Sequence, residues 1–164
     1  MHFTAKAEEA RQRRKEAMAT EEKKRIPLKE GLYALPGDGR EGHLIGSRCR
    51  SCGEYFHPKR VVCAKCYSED QEEVALSKRG AIFTYTIARV AYPGTPVTPP
   101  FVTAQVELPE KVQVLSLITD IDMNNVKIGA EVGLYFWKTG EDSEGNEIVA
   151  YAFRPVLEEK QQGR

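Results

Sequence analysis

The sequence predicts a mainly β protein made of an N-terminal helix, a rubredoxin-like metal-binding ribbon and a five-stranded barrel of the OB type. Three observations support this: a start rich in helix formers, two Cys-x-x-Cys pairs near residue 50, and five strand-like segments after residue 80. We divide the chain into a helix and connector (1–42), the ribbon (43–79), the barrel (80–157) and a polar tail (158–164).

The composition limits the classes of function. Lysine plus arginine and aspartate plus glutamate number 24 each in 164 residues, so no overall field draws the chain to nucleic acid or to an anionic membrane. Residues 80–164 hold seven basic and eleven acidic groups, a net charge of −4. No apolar run approaches the roughly 20 residues that span a bilayer. The composition therefore predicts a soluble protein.

The first segment, from Thr4 to about Arg25, consists of good helix formers and has no proline before Pro27. Its apolar positions are mostly alanines, with Met18 the only large one, so the stripe is too narrow for firm packing. Two interpretations remain open: a solvated arm, or a helix that orders against a partner subunit. The start lacks the apolar region of a secretory signal, which predicts a reducing cytoplasm.

The four cysteines of the chain lie in two pairs, Cys49 with Cys52 and Cys63 with Cys66. Two such turns facing each other present four thiolates tetrahedrally, the arrangement that structural zinc prefers. A rubredoxin-like iron site and two disulfides are the alternatives. His57 lies between the pairs, but four cysteines already fill the shell, so we interpret it as a surface turn residue.

The surroundings of the two pairs predict the rest of the ribbon. Gly53 suits a positive φ after the first pair, whereas Tyr67 after the second predicts a different local geometry. Residues 26–45 are predicted as a connector whose end overlaps a predicted strand at 43–48. Residues 68–76 are predicted as a linker. The small apolar face of the ribbon is assigned to Tyr55, Phe56, Val61 and Val62.

Beyond the ribbon, β-branched, aromatic and alternating residues predict five strands, at 80–91, 101–108, 112–121, 131–138 and 147–153. Residues 139–146 are predicted as a polar hairpin loop. The segment 92–100 contains four prolines, so it is predicted to be an exposed, stiff loop.

The order of several blocks resembles a known family. These blocks are Cys49–Gly53, Phe56–Arg60, Cys63–Cys66, Gly80–Thr86, Pro100–Leu108, Val126–Val132 and Phe153–Pro155. They are similar to the zinc-ribbon and OB-fold accessory proteins that accompany thiolases and related acyl-CoA enzymes, including steroid side-chain aldolases and the benzoylsuccinyl-CoA thiolase of anaerobic toluene degradation. The chain departs from the family at Pro109–Lys111, where relatives have a glycine-containing turn. Some relatives lack the cysteines, which implies a structural metal.

The resemblance implies a role beside an acyl-CoA enzyme, and the residue inventory points the same way. Thiolase chemistry needs a free cysteine nucleophile, whereas every thiol here is assigned to metal and His2, His43 and His57 precede the barrel. We therefore expect a non-catalytic subunit of a thiolase-type acyl-CoA C-acyltransferase complex with a thiolase-like partner. It would support assembly and binding of the CoA thioester in degradation of an aromatic or related acid.

A nucleic-acid-binding module is the alternative, because zinc ribbons and OB barrels both serve that purpose. The net charge of −4 on residues 80–164 argues against nucleic-acid binding. The strand aromatics are also predicted to be core residues; they are Tyr85, Tyr135, Phe136, Trp137 and Tyr151. A rubredoxin-like electron carrier is a third possibility.

The proline-rich loop supplies a candidate contact with substrate or partner. Restricted backbone lets such a loop reach a partner at low entropic cost. We expect Tyr92, Pro100 and Phe101 to lie towards the acyl-CoA entrance of the partner enzyme. A stiff surface crossover without contacts is the competing interpretation.

Overall fold

The computed structural model describes residues 24–37, 41–91, 93, 95 and 97–156. Within these ranges the regular elements are all strands: β1 (Arg25–Pro27), β2 (Tyr33–Ala34), β3 (His43–Cys49), β4 (Tyr55–Phe56), β5 (Gln71–Ala75), β6 (Arg79–Ala88), β7 (Phe101–Glu107), β8 (Gln113–Ile118), β9 (Glu131–Glu141) and β10 (Glu147–Pro155). The predicted N-terminal helix falls on residues outside these ranges, except for its end. Its predicted extension to Arg25 is wrong, because Arg25 begins a strand.

Strands β6 to β10 form the closed five-stranded barrel that the sequence predicts. The order is β6-β7-β8-β10-β9, and β9 pairs with β6 to close the ring. Neighbouring strands are antiparallel except β8 and β10, which meet in parallel at Ile118 and Phe153. This is the strand order of an OB fold, and it leaves no open edge within the ring.

The hairpin after β9 is shorter than predicted. The ladder of β9 and β10 continues to Glu141, which pairs with Glu147. Asp142 then accepts hydrogen bonds from the backbone N–H of Glu144 at 2.9 Å and of Asn146 at 2.8 Å. The loop is thus limited to residues 142–146, because one carboxylate satisfies the donors that the turn leaves free.

The barrel core follows from alternation along the strands. On β7, Val102, Ala104 and Val106 are buried while Gln105 between them is exposed. The largest fully buried side chains of the barrel come from all five strands and the turn after β7: Ile82, Val102, Val106, Leu108, Val114, Val132, Val149 and Phe153. Each buries enough apolar surface to contribute about 1.5–3 kcal/mol.

The ribbon is a second sheet built on β3. Strands β2, β4 and β5 all pair with β3 in antiparallel fashion. Two predictions are wrong here. The predicted connector 26–45 contains β2 and most of β1, which adds to the barrel in parallel with β10. The predicted linker 68–76 contains β5.

Cross-strand charges explain why the polar β5 is a strand. Glu72 forms ion pairs with Arg48 at 3.5 Å and with Arg50 at 3.1 Å, and Glu73 pairs with Lys59 at 2.7 Å. Arg48 lies directly opposite Glu72, and opposite charges on facing positions stabilise a pair of strands by a few tenths to about 1 kcal/mol. The strand thus depends on β3, and its own hydrophobic pattern is weak.

Ribbon and barrel share one hydrophobic core. Tyr33, Leu44 and Leu76 from the ribbon side belong to the same buried cluster as the barrel residues. The junction is also tied by Glu110, whose Oε1 accepts hydrogen bonds of 2.8 Å from both the backbone N–H and the hydroxyl of Ser77. The turn Pro109–Lys111 thus holds the two sheets together.

Several predicted core positions are exposed instead. Val61 and Val62 are 83% and 42% exposed, so they do not build the apolar face of the ribbon. Tyr85 is 37% exposed, whereas the other four barrel aromatics predicted as core residues are half-buried.

Among the described residues there is no helical segment with the length and hydropathy of a membrane span.

Candidate metal centre

The two Cys-x-x-Cys pairs form two matching knuckles. In the first, the backbone N–H of Gly53 donates to the carbonyl of Cys49 at 2.8 Å; in the second, that of Tyr67 donates to Cys63 at 3.0 Å. Gly53 has φ +77° as predicted, and Tyr67 has φ +60°. The prediction of a different geometry at the second knuckle is therefore wrong, since Tyr67 adopts the left-handed conformation despite its side chain.

A further hydrogen bond closes each knuckle. The backbone N–H of Cys49 donates to the carbonyl of Glu54 at 2.8 Å, and that of Cys63 donates to Ser68 at 2.9 Å. These bonds fix the first cysteine of each pair, and both of these cysteines are buried. The backbone N–H of Lys65 also donates to the sulfur of Cys63 at 3.4 Å. Such N–H···S contacts favour a thiolate and orient it towards the centre.

All four sulfur atoms converge on one point. They lie within 4.8 Å of one another. The Sγ atoms of Cys49 and Cys66 are 3.5 Å apart, and those of Cys52 and Cys63 are 3.6 Å apart. A tetrahedral zinc site with Zn–S bonds of about 2.3 Å has sulfur–sulfur edges of about 3.8 Å. The cage therefore fits a four-thiolate metal ion and leaves no position for water.

The acid–base properties of the cage also favour a bound cation. Burial raises the pKa of the Cys49 thiol, but hydrogen bonds from the Cys52 backbone and the Cys66 thiol outweigh it and bring the pKa to about 6. The Glu54 backbone lowers the pKa of Cys52, but burial and the other thiols outweigh it and raise the pKa to about 12. Neighbouring thiolates repel each other, so all four ionise together only around a positive ion.

His57 lies apart from the four-cysteine cluster, as predicted from the sequence. It is half-buried, however, and not a freely exposed turn residue. Its Nδ1 hydrogen-bonds the carbonyl of Ile45 at 3.0 Å, and its ring meets that of Tyr151 edge-on at 6.4 Å. Burial lowers the pKa of His57, and the bond to Ile45 partly opposes this. The neutral imidazole thus packs between ribbon and barrel.

Two of the three residues predicted to contact substrate or partner lie within the described structure. Tyr92 lies outside the described residues, whereas Pro100 and Phe101 line one open groove beside the end of β8. Phe101 also lines a second groove of about 320 Å³ whose walls are mostly apolar and include Leu28, Leu115 and Trp137. Sequence reasoning missed this second groove. One sequence feature pointed to it: Leu115 directly follows the buried Val114 on β8, so strand alternation places this large apolar side chain on the outer face.

The architecture defines a class: a four-cysteine ribbon packed on an OB barrel in a shared core. The model of the rubredoxin-like zinc ribbon domain of ChsH2 matches residues 37–72, and the model of the C-terminal OB-fold domain of ChsH2 matches residues 73–136. The chain belongs to this family of zinc-ribbon and OB-fold proteins, as its resemblance implied.

Similar proteins extend across most of the chain. A DUF35 domain-containing scaffold protein of Methanocaldococcus jannaschii is 35% identical over 69% of this chain and 82% of its own length. The benzoylsuccinyl-CoA thiolase subunit BbsA of Thauera aromatica is 27% identical over 76% of this chain and 85% of its own. The solved Ltp2-ChsH2(DUF35) aldolase superposes with a TM-score of 0.59 and 27% identity over 70% of this chain and 86% of that one.

Proposed function

We propose that this chain is a non-catalytic, zinc-binding subunit of a thiolase-type acyl-CoA C-acyltransferase complex. In that complex it supports assembly and binding of the acyl-CoA substrate in the degradation of an aromatic or related acid. The observation that carries the proposal is the cage itself: all four thiols of the chain lie within one cluster, so none is left as a nucleophile. Relatives named as a thiolase subunit and as part of an aldolase support the choice of partner.

Zinc is the ion that fits the cage best. Four thiolates in tetrahedral positions are the donor set of structural zinc, and a closed shell leaves the ion no catalytic position. Cys49, Cys52, Cys63 and Cys66 would hold it. The ion would neutralise the thiolates and fix both knuckles, so that β3 and the segments beside it keep their positions against the barrel.

The apolar groove supplies a contact surface for the partner. Leu28 and Leu115, which both line this groove, are 55% and 68% exposed, and exposed apolar side chains that cluster in this way often mark an interaction site. Phe101 lies in the same groove. We expect the thiolase-like subunit to cover these side chains, with Phe101 and the preceding proline-rich loop, including Pro100 and Tyr92, towards its acyl-CoA entrance.

Affinity purification of the tagged chain from its native cells tests the proposal. A thiolase-like subunit should copurify with wild-type protein and be lost with Leu115→Asp. Ile128→Asp is the matched control, because Ile128 is also 68% exposed but does not line the groove. Recovery of no acyl-CoA enzyme with the wild-type chain would overturn the proposed function. Equal recovery with both variants would overturn the assigned surface.

A nucleic-acid module remains the alternative, and one observation favours it: Phe83 and Tyr85 are exposed on β6. The adjoining shallow groove carries no charge; it is lined by Thr84, Tyr85, Thr86, Thr103, Ala104, Gln105 and Leu115. Single-strand binding surfaces combine such aromatics with cations along the backbone path. We therefore expect no retardation of single-stranded oligonucleotides in gel-shift experiments.

A further inference from the structure

A row of three residues crosses the barrel on its outer face: Arg79, Gly133 and Arg154. Gly133 on β9 pairs directly with Arg79 on β6 and with Arg154 on β10. Residues directly opposite each other on neighbouring strands project to the same face of a sheet. Val132, the residue before Gly133, is fully buried, so the row faces outward. Two arginine side chains therefore flank a position that has no side chain.

The row lies in an open groove with a volume of about 550 Å³. Lys78, Asp120 and Val156 also line it. Neighbouring strands lie about 4.8 Å apart, so the two arginine backbones are roughly 10 Å apart across Gly133. A gap of this width admits a phosphate group between the guanidinium groups, and the groove has the volume of an ordinary small-molecule site.

Within the described part of the chain, no carboxylate pairs with either guanidinium group of the row, that of Arg79 or that of Arg154. Lys78, by contrast, is paired with Glu41. Arg154 is held with its guanidinium carbon 5.0 Å from the centroid of the Tyr135 ring. Asp120 is the only carboxylate among the described residues that line the groove, whereas Lys78, Arg79 and Arg154 are cationic. Guanidinium groups bind phosphate through two parallel hydrogen bonds.

The glycine itself points to a ligand. Glycine weakens a strand interior and often marks a place where a ligand approaches closely. A Cβ added at Gly133 would meet only Val156, at an ordinary contact distance of 3.6 Å, and the backbone needs no positive φ. Neither packing nor backbone conformation therefore requires glycine here, whereas a ligand lying between the arginines would.

We propose that the Arg79–Gly133–Arg154 row binds the phosphate-bearing nucleotide end of a CoA thioester. This rests on the proposed function, because the complex supplies that substrate class. The phosphates would accept hydrogen bonds from the two guanidinium groups, and Gly133 would leave space for them.

Isothermal titration of the zinc-loaded full chain tests the site with CoA, adenosine 3′,5′-bisphosphate, pantetheine and inorganic phosphate as probes. We expect one CoA or bisphosphate per chain, no binding of pantetheine, and weak competition by phosphate. Arg79→Gln and Arg154→Gln should each raise the Kd about tenfold. Gly133→Val should do the same by filling the gap, while valine favours the strand. Lys127→Gln, an exposed change of the same charge, should leave the Kd unchanged.

Other outcomes would overturn the site. These are no binding of CoA, phosphate binding as tightly as CoA, or equal affinities in all variants. If the glutamine variants weaken only the contact with the partner protein, the row is a protein interface instead. Because titration needs no partner, it separates this inference from the proposed function. Failure of the wild-type chain to recover an acyl-CoA enzyme would overturn the latter alone.

Discussion

The hydroxyl of Tyr33 donates a hydrogen bond of 2.6 Å to the backbone carbonyl of Val149, 116 residues further along the chain. Tyr33 is only 4% exposed and belongs to the ribbon sheet, whereas Val149 lies on the last barrel strand. The same carbonyl accepts the backbone N–H of Leu28 at 2.9 Å. One carbonyl of the barrel thus fixes two points of the segment that leads into the ribbon.

Removing this hydroxyl should weaken the whole fold modestly. In Tyr33→Phe the Val149 carbonyl keeps its bond from Leu28, so we expect a loss of about 1 kcal/mol, or roughly 2–4 °C in Tm. Urea unfolding measures the loss. Tyr85→Phe is the control, because the Tyr85 hydroxyl has no partner in the described structure, and it should change stability little. Equal stability of the two variants would contradict the role of the bond.

Stability should fall at alkaline pH in a way that depends on Tyr33. Burial raises the pKa of Tyr33, with opposing hydrogen bonds from Lys29 and Leu28, and burial also raises that of Tyr151. The unfolded chain releases these protons near pH 10, before the folded chain does. The stability contribution is therefore full below pH 10 and is lost as pH rises through the folded-state pKa.

Unfolding at several pH values isolates the Tyr33 part of this effect. The free energy gap between wild type and Tyr33→Phe should be constant up to about pH 9 and narrow above pH 10. A gap that stays constant to pH 11 would show that Tyr33 ionises equally in both states.

The ribbon should depend on its metal. Cys63→Ser removes a buried ligand, so we expect about one zinc per chain in wild type and little or none in the variant. Backbone amides of β3 and β5 should lose their protection in hydrogen exchange. Ser51→Ala in the first knuckle removes no ligand and should keep the zinc. Folded wild-type protein without any metal in elemental analysis would refute the structural role.

Those elements whose signal is local were predictable from the sequence. The barrel strands carry their own alternation, as in Val102, Ala104 and Val106, and the cysteine spacing alone predicts the cage. The elements that were predicted wrongly depend on partners that are distant in the sequence. β1 is three residues long and exists because β10 pairs with it. β5 is acidic and exists because Arg48 on β3 and Arg50 just after β3 form ion pairs with Glu72.

Surface features were the least predictable part of the site. Leu115 and the half-buried Trp137 follow the same hydrophobic pattern whether they face a core or a groove. Arg79 and Arg154 are 75 residues apart in sequence, and only the pairing of their strands with β9 brings them to one glycine. An unexplained glycine inside a predicted strand was the available signal.

The proline-rich loop should affect catalysis by the complex without affecting its assembly. Replacing residues 92–100 with a short Gly-Ser linker should raise KM or lower kcat severalfold, because the loop and Phe101 would no longer cover the substrate. Size-exclusion chromatography checks that the complex stays intact, and steady-state kinetics measures the effect. Unchanged kinetics in an assembled complex would leave the loop as a surface crossover.

The most direct test of the central claim is CoA-dependent carbon–carbon bond cleavage, measured first with the purified zinc-loaded chain and then after adding its copurified partner. We predict no activity from the chain alone, because every thiol lies in the metal cage, and full activity once the thiolase-like subunit is present. Robust cleavage by the single chain, or partner activity that does not change when the chain is added, would contradict its assignment as a non-catalytic supporting subunit.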